Sequence, residues 1–120
     1  MFAKVAYCYL LGSVFFVNLL KLLFMQYKEY LDIRRSGEIP DDLPALLQAL
    51  LLDAMGDWDA AHGIAQNELT RDGSWVHAYL HRKEGDLGNA SYWYSIAGRN
   101  MPDTGLEEEW ESISRELLGK

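Results

Sequence analysis

His77 and His81 stand one helical turn apart in the run Trp75-Val-His77-Ala-Tyr-Leu-His81-Arg-Lys-Glu84. At i and i+4 on a helix, two imidazoles share a face, and their ring nitrogens can reach a single metal ion. Glu84 follows one turn on. His62 falls on the preceding segment, which an antiparallel connection would bring alongside. His62, His77, His81 and Glu84 therefore make a candidate metal set. There is no His-Glu-x-x-His motif to strengthen it. The competing expectation is that the histidines pack against Trp58, Trp75 and Tyr79 and bond to backbone or carboxylates. The sequence reading favours the second, with no cofactor, and holds the metal set as the alternative.

Other chemistry is thin. Gly-x-Ser-x-Gly, a phosphate loop and Gly-x-Gly-x-x-Gly are all absent from the chain. The lone Cys8 sits in an apolar stretch, where a thiolate is disfavoured. No enzyme is expected. Trp75, Tyr79, Tyr92, Trp93 and Tyr94 form an aromatic group whose polar tips suit half-buried positions. Because residues 92–94 are consecutive, at least one is expected in the core and another near the surface. Arg82, Lys83 and Arg99 are the main cations of an acidic region, expected to be solvated or paired with Glu84, Asp86 and the last helix. His77, His81, Arg82, Tyr92 and Trp93 are the expected partner-binding residues.

The elements that must position these groups read as about six helices, without a convincing strand pattern. The first runs from about Val14 to Arg35, with Asn18, Lys21, Lys28, Asp32 and Arg35 on one polar stripe. Gly37 and Pro40 mark a loop. Asp42 is a candidate cap for a leucine-rich helix reaching about Met55, with Pro44 in its first turn. Gly56-Asp57 breaks it, and Trp58 to about Leu69 follows. Thr70-Arg-Asp-Gly73 reads as a turn, with Asp72 or Ser74 starting a helix through Glu84. Gly85-Asp86 breaks again before Leu87 to about Arg99. Thr104 and Glu107 fit a capping box. Leu106, Trp110, Ile113 and Leu117 then place one apolar stripe on a final helix.

Gly56-Asp57-Trp58 with Ala61 matches Gly85-Asp86-Leu87 with Ala90 at an offset of 29 residues. In each half, glycine supplies a left-handed turn residue and aspartate caps the following helix. The second half resembles a tetratricopeptide repeat. Gly85-Asp86-Leu87 falls at that family's inter-helix turn, Ala78 at its small first-helix position, Ala90, Tyr94 and Ala97 on its second helix, and Pro102 at its terminal proline. The first half keeps only the turn and Ala61, and the period is shorter than the family's. The resemblance, over about Ala45 to Pro102, implies an all-α fold of antiparallel helix pairs with flanking helices and says almost nothing of activity. The strings at 56–62 and 75–86 are also similar to small bacterial proteins of unassigned role.

Two regions follow: residues 1–36, an N-terminal apolar helix, and residues 37–120, a helical-hairpin domain with a C-terminal capping helix. Of the 21 residues from Val5 to Met25 only Gly12, Ser13, Asn18 and Lys21 are not apolar. That is long enough to cross a bilayer, and equally suited to packing on the domain. Basic residues after this stretch lead to the expectation of a cytoplasmic body, free or attached to the membrane. Residues 1–36 carry five basic against two acidic side chains, and residues 37–120 six against sixteen, which together make the net charge of −7. So acidic a body disfavours nucleic acid as a partner. The expected function is a non-catalytic module for a protein or peptide partner. A histidine-cluster metal protein and a membrane-attached structural subunit are the alternatives.

Overall fold

The computed structural model describes residues 25–120. Among them the chain is all-helical: α1 (Tyr27–Ser36), α2 (Ala45–Ala54), α3 (Trp58–Asn67), α4 (Arg71–Glu84), α5 (Leu87–Ala97) and α6 (Leu106–Leu118). Helices α2 and α3 form one hairpin, α4 and α5 the next, and α1 and α6 flank them. None of the described helices is long and apolar enough to cross a membrane. The apolar stretch from Val5 lies outside the described residues up to position 24, and so do Asn18, Lys21 and Cys8.

The two Gly-Asp turns have the same conformation. Gly56 and Gly85 sit at φ +91° and +90°. The Asp57 and Asp86 side chains accept from the backbone N–H of Ala60 and Asn89. Each turn reverses the chain within two residues, and the small Ala61 and Ala90, both fully buried, let the paired helices approach closely.

The core joins all the helices. Val76, Ala78 and Leu80 of α4 are wholly buried among Leu50 and Leu51 of α2 and Ile113 of α6. Helix α1 is fastened by Tyr30, whose hydroxyl donates to the Leu47 carbonyl at 2.7 Å and whose ring stacks on Trp110, centroids 5.6 Å apart. Trp110 donates in turn to the Leu50 carbonyl at 2.9 Å. Both of these buried rings thus have their polar tips satisfied by backbone, which removes the penalty for burying them.

Several boundaries differ from the sequence expectation. Helix α1 does not continue unbroken from Val14. Met25 and Gln26 are non-helical, Gln26 is extended, and its carbonyl accepts the Tyr30 N–H that opens the helix. Lys28, Asp32 and Arg35 do form an exposed stripe. Asp42 does not cap α2. It lies in a turn closed by the Leu43 N–H on the Pro40 carbonyl, and Pro44 occupies the cap position. Helix α3 stops at Asn67, short of Leu69. Thr70–Gly73 is not a turn but the cap and first residues of α4, with the Thr70 hydroxyl accepting from the Gly73 N–H at 3.0 Å. Gly73 permits this because a Cβ there would meet the Glu68 carbonyl oxygen at 2.1 Å. Helix α5 ends at Ala97, where Gly98 turns left-handed. The Thr104–Glu107 capping box does not form. Arg34 takes both Glu107 oxygens, Arg82 reaches the Thr104 carbonyl, and Gly105 is the cap residue.

Candidate functional site: a histidine cluster between two tryptophans

Helices α3 and α4 run antiparallel in a register set by Trp58. Its indole N–H donates to the Leu80 carbonyl at 2.9 Å, tying the start of α3 to the end of α4. One turn along α3, His62 arrives opposite His77. The two Nε2 atoms are 2.9 Å apart. His81, one turn along α4, completes a triangle of rings: centroids lie 4.6 Å (62–77), 5.1 Å (62–81) and 4.7 Å (77–81) apart. One ring nitrogen from each of the three lies within 4.8 Å of the others. Tryptophans close the two ends: Trp58 stacks on His62 at 4.7 Å, and Trp93 of α5 stacks on His77 at 4.1 Å.

Glu84 has a defined part. Its carboxylate lies 3.1 Å from Nδ1 of His81. A carboxylate only accepts, so Nδ1 of His81 carries the proton of this hydrogen bond, which leaves Nε2 as the ring atom free to face the other two histidines. Burial lowers the proton affinity of His62 and His77 first of all. The neighbouring imidazoles lower it further, and His77 is held at about 4. At neutral pH both rings are therefore uncharged, as imidazole ligands must be. Nδ1 of His77 is buried and without a hydrogen-bond partner.

The expected partner-binding residues part company. His77 and His81 are 5% and 7% exposed. Arg82 turns inward to the buried Glu109 at 2.8 Å. Tyr92 is exposed and Trp93 half-buried, so only these two offer area to a partner. The consecutive aromatics diverge as expected, because Tyr94 is buried with its hydroxyl on Glu109. Trp75 and Tyr79 do not pack on the histidines. They belong to the opposite side of α4, where Trp75 approaches Glu109 and Tyr79 approaches Asp53. Arg99 pairs with Glu116 of the last helix. Sequence reasoning missed the buried carboxylates Asp53 and Glu109, although an aspartate inside Leu50-Leu-Leu-Asp53-Ala was a signal. It also missed Trp93 as the lid of the histidine cluster.

Comparison with known families, curated proteins and solved structures finds no match to this chain.

Proposed function

We propose that the protein is a non-catalytic interaction module, which holds a protein or peptide partner in the cleft between the α3–α4 junction and α5. The observation that carries this reading is an apolar rim without internal packing. Leu69 is 93% exposed, Tyr92 61% and Ile96 43%. Leu69 and Ile96 line a cleft of about 320 Å³ together with Ala65, Ser74 and Trp93. Tyr92 and Ile96 are one turn apart on the outer face of α5, and Tyr92 meets Trp93 edge-on at 5.3 Å. Large apolar side chains grouped around a concavity, with an aromatic anchor, are the usual makings of a partner site. The cleft has room for one or two large side chains of a partner segment. The acidic balance of residues 37–120 favours a partner with basic residues around its apolar anchor.

Site-specific photo-crosslinking tests the reading. A benzophenone amino acid at position 92 should capture a discrete species in the native host. The same group at Glu108, exposed on α6, should not. Introducing Leu69→Asp and Ile96→Asp should abolish the product. Equal capture from both positions, or none from position 92, would remove the support for a docking face here.

A further inference from the structure

The histidine cluster shares His77 and Trp93 with the wall of the docking cleft, yet it has features that neither core packing nor docking accounts for. Three imidazoles lie against one another between two tryptophans, two of them buried. Nδ1 of His77 has no partner, and no carboxylate reaches His62 or His77 by hydrogen bond among the described residues. A buried polar atom left unmatched costs about 1–3 kcal/mol, and an apolar trio would avoid it. We propose that His62, His77 and His81 are the ligands of a single divalent transition-metal ion of the zinc type, with Glu84 orienting His81 rather than binding the ion.

The distances suit such an ion. Two nitrogens bound at about 2.0–2.1 Å to one tetrahedral ion lie roughly 3.3 Å apart. The Nε2 atoms of His62 and His77 are at 2.9 Å, and one ring nitrogen from each of the three histidines lies within 4.8 Å of the others. The helices are already held in register by the Trp58–Leu80 bond. The Glu84–His81 contact is the carboxylate–histidine arrangement that fixes the tautomer of a metal-bound imidazole. Three imidazole ligands with no thiolate favour zinc, cobalt, nickel or copper over calcium or magnesium. A three-histidine set leaves the fourth position to water, on the side of the half-buried His62.

The test uses the full chain, stripped with a chelator and titrated with Co²⁺ alone, then with Zn²⁺ in competition. One equivalent of Co²⁺ should bind with the intense visible absorption of a four-coordinate site and quench the fluorescence of Trp58 and Trp93, which stack on two of the ligands. Zn²⁺ should displace it. His62→Gln, at a half-buried position where folding should survive, should lose stoichiometric binding, as should His77→Ala. Glu84→Gln should keep the stoichiometry but weaken affinity about 10–100-fold, as loss of an orienting partner does. Binding that is weak, six-coordinate in its spectrum, or unchanged in a helical His62→Gln variant would overturn the proposal. An equal loss in Glu84→Gln and His62→Gln would overturn the role given to Glu84.

Discussion

On one side of α4, Trp75, Tyr79, Arg82 and Lys83 meet two buried carboxylates, Glu109 and Asp53. On the other side, His77 and His81 meet only a third histidine, two tryptophan faces and the exposed Glu84. Both sides bury polar atoms, but to different degrees of completeness. Glu109, 3% exposed, accepts from the Tyr94 hydroxyl at 2.6 and 2.7 Å, from Arg82 at 2.8 Å and from the Trp75 indole at 3.3 Å. Asp53, 2% exposed, is matched by Lys83 at 3.0 Å and the Tyr79 hydroxyl at 3.3 Å. Each carboxylate is neutralised and its lone pairs are occupied, the condition under which a buried charge is tolerated. The histidine side leaves a nitrogen unmatched. The closed side reads as structure, tying α4 to α2, α5 and α6. The incomplete side reads as a place prepared for something else.

The sharpest way to break this comparison is to open the closed side. Glu109→Ala strands Arg82 and the Tyr94 hydroxyl in the interior, and removal of one partner of a buried pair costs about 3–5 kcal/mol. Denaturant unfolding of the full chain should register that loss. Glu109→Gln, which retains an acceptor, should lose less. A change under about 1 kcal/mol in the alanine variant would mean that the network contributes little and that completeness is no guide to role.

The next effect is on the histidine side and depends on pH. Burial holds His77 at about 4, against an ordinary value near 6.5. Between these values the unfolded chain binds a proton that the folded chain refuses, so folding stability falls as pH falls through that window. Its full contribution is present above pH 6.5. By linkage the loss across the window is about 3 kcal/mol at most, and the lowered His62 adds in the same direction. The other titratable groups facing this cluster are the rings of His62 and His81 and the carboxylates of Glu84 and Asp59. Urea unfolding between pH 7 and 4.5 should show the slope, and His77→Leu should flatten it. The same slope in wild type and variant would show that His77 is not held neutral.

Both sides of α4 end at Gly85, and a smaller effect is expected there. No atom outside its chain neighbours lies within 4 Å of the position a Cβ would take, so the cost of substitution is conformational, not steric. Gly85→Val forces a β-branched residue into the left-handed region and should cost about 1–2 kcal/mol in thermal or urea unfolding. Gly56→Val at the matching turn should cost the same. Unequal losses would show that the two turns, alike in conformation, bear different loads.

These turns were also the most legible feature of the sequence, because a glycine followed by a capping aspartate acts within a few residues. The i,i+4 spacing of His77 and His81 was legible for the same reason, and a short hairpin between α3 and α4 was enough to place His62 near them. The start of α4 was not legible: Thr70-Arg-Asp-Gly73 has turn composition, and only the close approach of Glu68 explains a glycine inside a first helical turn. The capping box at Thr104 failed because Arg34, 73 residues before Glu107, takes that carboxylate. Trp93 over His77, Lys83 on Asp53 and Arg82 on Glu109 likewise depend on which helices pack together, and no local pattern encodes that. His77 and His81, named as partner-binding residues, are buried for this reason, since a polar residue on a helix looks the same whether its face meets water or α3; the pairing of Arg82 with the acidic last helix was expected.

The smallest expected effect is the most discriminating, because it reverses the usual rule that changing a buried residue destabilises. Replacing an unmatched polar group by an apolar one of similar size removes a desolvation penalty along with whatever bond the group made. In metal-free protein at neutral pH, His77 makes one such bond, to Nε2 of His62, and His62 is exposed enough to turn to water instead. His77→Leu also loses the stacking on Trp93 but keeps apolar contact with that ring. These terms are each about 1 kcal/mol and oppose one another, so the chelator-treated variant should unfold within about 1 kcal/mol of wild type. Under the same conditions the Glu109 variant should lose several times that. With Co²⁺ or Zn²⁺ present the order should change: wild type gains stability in proportion to the metal bound, and His77→Leu gains none. A large loss in the metal-free His77→Leu protein would show that the imidazole is a fully used core group, and the contrast between the two sides of α4 would then disappear.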